Sequence, residues 1–216
     1  MLFAYPKTFD SRAYNNYHDT IKKERLGLYI RYIAGGHWPP LPRAAFIIAQ
    51  NNMIIIGIDP GLALMGYGVI QYEKDKVRLL ECGTLVTEAG TALPLRLSRL
   101  HSGVRNLIGQ YKPDCVAFEE LFFGRNVTTA IQVAQARGVA MAAAFDSGAA
   151  LFEYTPMQIK QAIAGYGHAD KKQVQEMVRL LLGMREIIRP DDAADAVACA
   201  LCHAHSSRFA EAFRIQ

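Results

Sequence analysis

Short apolar runs separated by turn-forming residues recur along this chain, and stretches with helical spacing follow them. Apolar runs of about four to eight residues between such breakers are typical of buried strands. The sequence therefore predicts five strands, of which the first three form a meander. They are Ile54–Ile58, Gly66–Tyr72, Arg78–Thr87, a run ending at Glu119, and Ala150–Tyr154.

Helical spacing is clearest between Ala92 and Gln110, where apolar residues recur every three or four positions. Four further helices are predicted. They are an Ala-rich helix capped by Asn126 and reaching about Phe145, a short helix opened by Pro156, a helix after Asp170 ending near Gly183, and a last helix from about Asp192 to Arg208. Asp170, with Gln173 three residues later, resembles a capping box. This order of strands and helices indicates an α/β domain.

The chain divides at Met53. Residues 1–52 hold seven Lys/Arg and three Asp/Glu, whereas residues 53–216 hold 17 of each, so the net charge of +4 belongs to the upstream part. That part also holds the single tryptophan and shows no catalytic constellation. We predict that residues 1–52 are an extended start or a loosely attached arm. The alternative is a basic, aromatic arm that contacts nucleic acid.

Composition narrows the class of protein. A hydrophobic fraction of 51% supports one soluble domain with a substantial core. No apolar run approaches the ~18 residues of a membrane span, and the order of residues typical of a signal peptide is missing. Four cysteines in 216 residues do not indicate a disulfide scaffold. A cytoplasmic location is therefore expected.

Four carboxylates occupy positions that a two-metal nuclease would need. Asp59 and Glu119 each end a predicted buried strand, which places them at the carboxyl edge of an α/β sheet. Asp192 and Asp195 are three apart at the start of the last predicted helix, so they share a helix face. Acids gathered in this way repel one another, and Mg²⁺ or Mn²⁺ is the usual remedy.

Three alternatives compete with this interpretation. Asp59 before Pro-Gly could be a turn residue. Asp191 shares a helix face with Asp195 as well, and either Asp191 or Asp192 could cap the helix or interact with its dipole. Glu120 stands beside Glu119, although strand alternation would direct it to the opposite side.

The segment Cys199-Ala200-Leu201-Cys202-His203 matches the spacing of a haem-attachment motif and faintly suggests zinc. We favour neither, because the segment continues a predicted amphipathic helix and no secretory signal is present. Cys199 is expected to be buried. His203 and His205 are expected at the surface.

Taken together, residues 53–216 resemble the RuvC family of Holliday-junction resolvases. The matching stretches occur in family order across nearly all 164 residues. They are Gly57-Ile58-Asp59-Pro60-Gly61, Gly66-Tyr67-Gly68, Phe118-Glu119-Glu120-Leu121-Phe122, Asn126, Gln135-Ala136-Arg137-Gly138, Lys160-Gln161, Lys171, Gln173-Val174-Gln175 and Asp192-Ala193-Ala194-Asp195-Ala196. Residues 1–52 have no counterpart in this pattern.

The resemblance implies a ribonuclease H-like fold, with a central mixed five-stranded sheet flanked by helices. It also implies a homodimer, two Mg²⁺ ions per subunit that Mn²⁺ could replace, and paired nicking of two opposed strands of a four-way DNA junction. In the cell it implies partnership with the RuvA–RuvB branch-migration complex. On the family pattern Asp192, and not Asp191, is the metal ligand. We place the dimer interface on the Ala-rich helix around residues 130–144.

Other site residues follow from the same resemblance. Lys160 and Lys171 resemble the family's basic site residues, which could offset charge in the transition state. Either could instead be an ordinary solvated lysine. An exposed aromatic residue in the loop after Glu119 could stack on an unpaired base, and either Phe122 or Phe123 could instead pack in the core. We favour Phe122 as the stacking residue and Phe123 as the core residue, and Arg125 is expected to contact a phosphate.

Three rival functions compete with a resolvase. Actin-like kinases share the core fold but need a second domain for which this chain is too short. A non-catalytic junction-binding module would not need four metal-spaced carboxylates. A different ribonuclease H-like nuclease remains within the enzyme class, and comparing DNA substrates separates it from a resolvase.

Overall fold

The computed structural model describes residues 52–121, 127–206 and 212–215. Their elements agree closely with the predicted ones. They are β1 (Asn52–Asp59), β2 (Leu64–Glu73), β3 (Lys76–Val86), α1 (Leu93–Tyr111), β4 (Cys115–Glu119), α2 (Val127–Phe145), β5 (Ala150–Tyr154), α3 (Pro156–Ala164), α4 (Lys171–Leu181) and α5 (Asp191–Ser206). The predicted capping box is present, because Asp170 accepts from the Gln173 backbone while the Gln173 side chain accepts from the Asp170 backbone. No described helix is long and apolar enough to cross a membrane.

The five strands form one mixed sheet in the order β3-β2-β1-β4-β5. The first three are antiparallel neighbours, which confirms the predicted meander, and β4 and β5 extend the sheet parallel to β1. Since β1, β4 and β5 are parallel, their carboxyl ends meet at one edge. This mixed sheet with helices on both faces is the predicted fold class.

Each face of the sheet carries its own apolar core, because strand side chains alternate between faces. Ile56 and Ile58 of β1 pack with Leu100 and Val104 of α1 and with the buried alanines of α2. Ile55 of β1 faces the other way, toward α3, α4 and α5. The two cores hold the helices that carry some of the predicted site residues against the strands that carry the others.

Helix α5 lies unusually close to β1 and β2 because glycines face it. A β-carbon on Gly57 would stand 2.0 Å from the Ala196 carbonyl oxygen, and one on Gly66 would stand 2.0 Å from that of Asp192. Any side chain at either position would collide with the helix backbone. The glycines therefore allow the start of α5 to lie beside the end of β1.

The expectation that His203 is exposed was wrong. Helix α5 is covered by the sheet on one side and packs against α3 and α4, so His203 is only 2% exposed. Its Nδ1 lies 2.8 Å from the Tyr154 hydroxyl, and burial lowers the pKa of His203 to about 4. His205 is exposed and Cys199 is buried, as expected.

Candidate active site

Asp59 and Glu119 stand side by side at the carboxyl edge of the sheet. They are the last residues of β1 and β4, two parallel neighbours in which Ile58 pairs with Phe118. Buried apolar residues precede both, so the strands are fixed up to the point where each carboxylate begins. This arrangement is the one expected from the two apolar runs.

The start of α5 brings two further carboxylates to this edge. Gly66 pairs with Asp59 across β1 and β2, and the same glycine lies against the Asp192 backbone. Asp195 follows one helical turn later on α5. The charges of both Asp192 and Asp195 reach Asp59, where they act to raise its pKa. The fold thus brings together all four carboxylates selected from the sequence.

Burial, together with the repulsion between neighbouring carboxylates, raises pKa values within the cluster. Burial raises the pKa of Asp59 to about 8, and the charges of Glu119, Asp195 and Asp192 add to the effect. Burial raises the pKa of Glu119 to about 7, with a contribution from Asp195, although Lys171 and Lys160 oppose the shift. Burial also raises the pKa of Asp195. In the absence of a cation, part of this cluster holds protons near neutral pH.

Asp191 and Asp192 occupy different environments. The nearby side-chain amide of Gln175 and, to a smaller extent, Lys171 lower the pKa of Asp191. Gln175 Nε2 nevertheless makes no hydrogen bond within the described residues. Arg189 also pairs with the Asp191 carboxylate. The charge of Asp191 is not among those acting on Asp59, whereas the charge of Asp192 is. This difference favours Asp192 as the member of the cluster.

Lys171, the first residue of α4, reaches the cluster directly. Its Nζ lies 2.9 Å from the Asp195 carboxylate and 3.4 Å from that of Asp191. Partial burial acts to lower the pKa of Lys171, but the bond to Asp195 and the neighbouring charges outweigh it and raise the pKa. Lys160 on α3 is half-buried and acts on Glu119 through its charge. Both lysines therefore belong to the electrostatic environment of the site.

Several predicted residues cannot be placed. Phe122, Phe123, Arg125 and Asn126 lie outside the described residues, so the stacking and phosphate-contact predictions stay predictions. Glu120 is exposed, and its backbone nitrogen continues the pairing with Tyr154 of β5. That exposure agrees with the expected alternation after Glu119.

The four carboxylates are donors of the kind that divalent cations prefer, although their side chains do not converge on a common point. Among residues 52–121, 127–206 and 212–215, no three His, Cys, Asp or Glu side chains are placed so as to hold a metal ion as they stand. Asp195 instead bonds to Lys171. Rotation about side-chain torsions moves carboxylate oxygens without moving the backbone, and four mutually repelling carboxylates are the hard oxygen donors that Mg²⁺ and Mn²⁺ prefer.

A separate cavity of about 610 Å³ opens between α3 and the end of α5. Its lining includes Tyr154, Gln158 and Cys202, and none of the four carboxylates. The candidate site is therefore at the edge of the sheet and not in this cavity.

Residues 55–203 match the family described as "Crossover junction endodeoxyribonuclease RuvC". The chain belongs to the RuvC family. Over 164 residues, 76% of the chain, it is 57% identical to the crossover junction endodeoxyribonuclease RuvC of Rubrobacter xylanophilus, of which it covers 92%. It is 49% identical to the RuvC of Alkaliphilus metalliredigens, which it covers completely.

Solved structures agree with the RuvC assignment. Thermus thermophilus RuvC in complex with a Holliday junction substrate superposes with a TM-score of 0.72 at 40% identity, covering 76% of this chain and 99% of the relative. The yeast mitochondrial Holliday junction resolvase Ydc2 superposes with a TM-score of 0.55 at 15% identity, covering 73% of this chain and 82% of the other, which is a likeness of fold alone. The fold and family expected from the ordered motifs are thus confirmed.

The sequence gives Arg137 no evident role beyond its place in the family pattern. In the structure Arg137 of α2 pairs with Glu153 of β5, and its Nε is buried without a hydrogen-bond partner. A single arginine within an Ala-rich helix was the available signal. The pair ties α2 to β5 near the edge where Glu119 stands, since Glu153 pairs with Phe118.

Proposed function

We propose that this RuvC-family chain is a structure-selective endonuclease that resolves Holliday junctions by nicking two opposed DNA strands in recombination and repair. One observation carries the proposal: β1, β4 and α5 bring four carboxylates to one sheet edge in a chain that matches crossover junction endodeoxyribonucleases along most of its length. Phosphodiester hydrolysis needs a water nucleophile, charge relief at phosphorus and a stabilised leaving oxygen. Metal ions held by the four carboxylates, together with the two lysines beside them, would meet these three requirements.

Asp59, Glu119, Asp192 and Asp195 are the residues that would hold the metal. The charges of the other three carboxylates all act on Asp59, so Asp59 is the one best suited to bind both metal ions. Two bound Mg²⁺ ions would supply charge for the attacking and leaving oxygens, and Mn²⁺ could serve in their place. The raised pKa of Asp59 means that cation binding releases protons near neutral pH, because the carboxylates bind as anions.

The two lysines complete the proposed chemistry. Lys171 donates to Asp195 and holds that carboxylate in place. Its half-exposed ammonium can exchange this partner for substrate oxygen, where it would offset charge in the transition state. Lys160 acts on Glu119 from α3 and would add positive potential on the side of β4.

Coordinated cutting of two strands requires two sites related by symmetry, and closed dimers commonly provide them. Helix α2 offers a suitable face. Along one side it exposes residues spaced by three or four positions, with large apolar side chains at each end and a glutamine and two small residues between. They are Ile131, Gln135, Gly138, Ala142 and Phe145. We propose that two copies of α2 pack through this stripe in a homodimer.

Two further assignments complete the proposal. Phe122 and Arg125, in the segment that follows Glu119, would contact an unpaired base and a phosphate at the junction. The RuvA–RuvB branch-migration complex would deliver junctions to this cytoplasmic enzyme.

Comparing three substrates tests the function. We expect Mg²⁺-dependent paired nicks in a four-way junction, and little cleavage of a linear duplex or an RNA–DNA hybrid of the same sequence. Preferential cutting of the hybrid would make the chain a different ribonuclease H-like nuclease. Metal-independent binding without nicking would make it a junction-binding module.

A further inference from the structure

Arg96 is a buried arginine without a counter-charge among the described residues. It lies in the first turns of α1 and is only 8% exposed. Its Nε donates to the Thr87 hydroxyl at 2.8 Å. Within residues 52–121, 127–206 and 212–215, no acidic side chain lies at ion-pairing distance from it. Arginines are rarely buried so fully unless they are paired.

The surroundings of Arg96 connect it to the catalytic edge. Thr87 directly follows β3, whose last residue Val86 pairs with Leu64 at the start of β2. The Thr87 hydroxyl donates to the Leu62 carbonyl at 2.5 Å, and its backbone nitrogen donates to the Ala63 carbonyl at 2.9 Å. Both acceptors belong to the turn that begins immediately after Asp59. Arg96 is therefore connected, through Thr87, to the segment that follows Asp59.

The start of α1 adds a second source of positive charge next to Arg96. Its N-cap, Ala92, makes no side-chain capping bond, and no acidic residue occupies the first turn of this 19-residue helix. The amino end of a helix carries partial positive charge, which side chains or bound anions usually offset. Here neither the buried guanidinium nor the helix start meets an anion within the described part of the chain.

We propose that Arg96, together with the start of α1, binds a backbone phosphate of the junction DNA beside the strand that is cut. With Nε bonded to Thr87, the two Nη groups keep the donors that a guanidinium presents to phosphate oxygens. The contact rests on the proposed function, because only a DNA substrate places a row of phosphates along this edge. Through Thr87, Arg96 is also linked to the turn after Asp59, so the contact would couple the position of the DNA to the proposed catalytic carboxylates.

Salt dependence of junction binding tests the contact. Affinity is measured for the full-length protein in Ca²⁺, without cleavage, over a range of salt concentrations, for wild type, Arg96→Met and Arg105→Met. Arg105 is the matched control, since it is an exposed arginine of the same helix nine positions further on. We expect Arg96→Met to flatten the slope of log K against log salt by about 0.9 for each phosphate that the protein no longer neutralises, and Arg105→Met to leave it unchanged. Equal slopes for the two variants would overturn the proposal.

A second measurement covers the case in which Arg96→Met does not fold. Junctions carrying single neutral methylphosphonates along the cut strand are bound to wild type and to Arg96→Lys, which keeps the charge but loses the planar fork. Wild type should lose affinity at one particular phosphate near the cut, and Arg96→Lys should lose clearly less at that phosphate alone. A uniform response of both proteins would refute the contact. Failure of wild type to bind any junction would instead refute the proposed function.

Discussion

Gly57 of β1 and Ala196 of α5 approach so closely that a β-carbon on residue 57 would stand 2.0 Å from the Ala196 carbonyl oxygen. Two residues after Gly57 comes Asp59, and one residue before Ala196 comes Asp195. Because glycine has no side chain, residue 57 allows β1 and α5 to pack closely enough to bring Asp59 and Asp195 together.

Gly57→Ala should consequently damage both stability and activity. The added methyl group meets backbone atoms, and such overpacking costs about 1–3 kcal/mol. We expect a lower melting temperature and a larger loss of nicking than the loss of folded protein explains. Gly109→Ala is the control, because nothing lies within 4 Å of a β-carbon there and alanine favours a helix by about 0.5–1 kcal/mol. Normal activity in folded Gly57→Ala would show that the close approach does not set the site.

Neutral isosteres of the four carboxylates should separate binding from cleavage. Asp59→Asn, Glu119→Gln, Asp192→Asn or Asp195→Asn removes a charged ligand while keeping its shape. We expect each substitution to reduce nicking by more than about 100-fold while junction binding is largely kept. That loss would exceed the one usually caused by mutating a residue that only hydrogen-bonds to a metal ligand. Glu120→Gln, the exposed neighbour, should cut normally. A residue whose variant still cuts at near-normal rates is not a ligand.

The raised pKa values predict how stability depends on pH without metal. Asp59 has a pKa of about 8 in the folded protein against 3.8 as its ordinary value, so the folded state binds the proton more tightly. Stability of the EDTA-treated protein should therefore fall as pH rises toward 8. His203, whose pKa is lowered from 6.5 to about 4, makes the folded state less stable as pH falls through that range. The contribution of Asp59 to stability is therefore clearest above pH 6.5.

Thermal melting with EDTA and with Mg²⁺ measures this effect. We expect the melting temperature in EDTA to drop between pH 6.5 and 8, and Mg²⁺ to restore it most at pH 8. Asp59→Asn should flatten the EDTA profile. A profile equally steep in wild type and Asp59→Asn would remove Asp59 as the cause.

The proposed interface predicts a separable assembly defect. Gly138 lies at the centre of the exposed stripe on α2, so Gly138→Arg should dissociate the dimer without disturbing the core. Sedimentation should show monomers, and nicking should become slow and uncoordinated between the two strands. Gly109→Arg, an equivalent change at an exposed position of α1, should stay dimeric. A dimeric Gly138→Arg protein would place the interface elsewhere.

Residues 1–52 can be tested by removal. A chain starting at Met53 should fold, dimerise and cut junctions as the full chain does, because it loses only the exposed first residue of the described sheet, Asn52, and keeps the buried Met53. If the upstream segment is instead a basic arm, its removal should flatten the salt dependence of junction binding by about 0.9 for each phosphate that the arm neutralises. Failure of the shorter chain to fold would show that the domain boundary is wrong.

The sequence predicted those features that depend on local patterns of apolar and polar residues, and missed those that depend on how the elements pack. Strand β4 ends where predicted because a buried strand needs an unbroken apolar run, and the polar Glu119 then marks its end. Strand β5 ends where predicted because Pro156 opens the next helix. The same logic correctly placed Asp59 and Glu119 at one edge. His203 was misplaced because helix α5 is covered on two sides, and the small residues of such a helix do not reveal how many faces are buried. The bond between Lys171 and Asp195 depends on how α4 and α5 pack, which local pattern does not determine.

The four carboxylates come from three elements that are far apart in the chain, and Asp195 follows Asp59 by 136 positions. During synthesis the ribosome releases Asp59 and Glu119 long before α5 emerges. A nascent chain therefore carries half of the charged cluster but none of the helix that closes it against Gly57 and Gly66. If the four carboxylates form the cleavage site as proposed, cleavage competence arrives last, after the sheet and most of its surrounding helices have been made, and a polypeptide truncated before α5 cannot cut DNA.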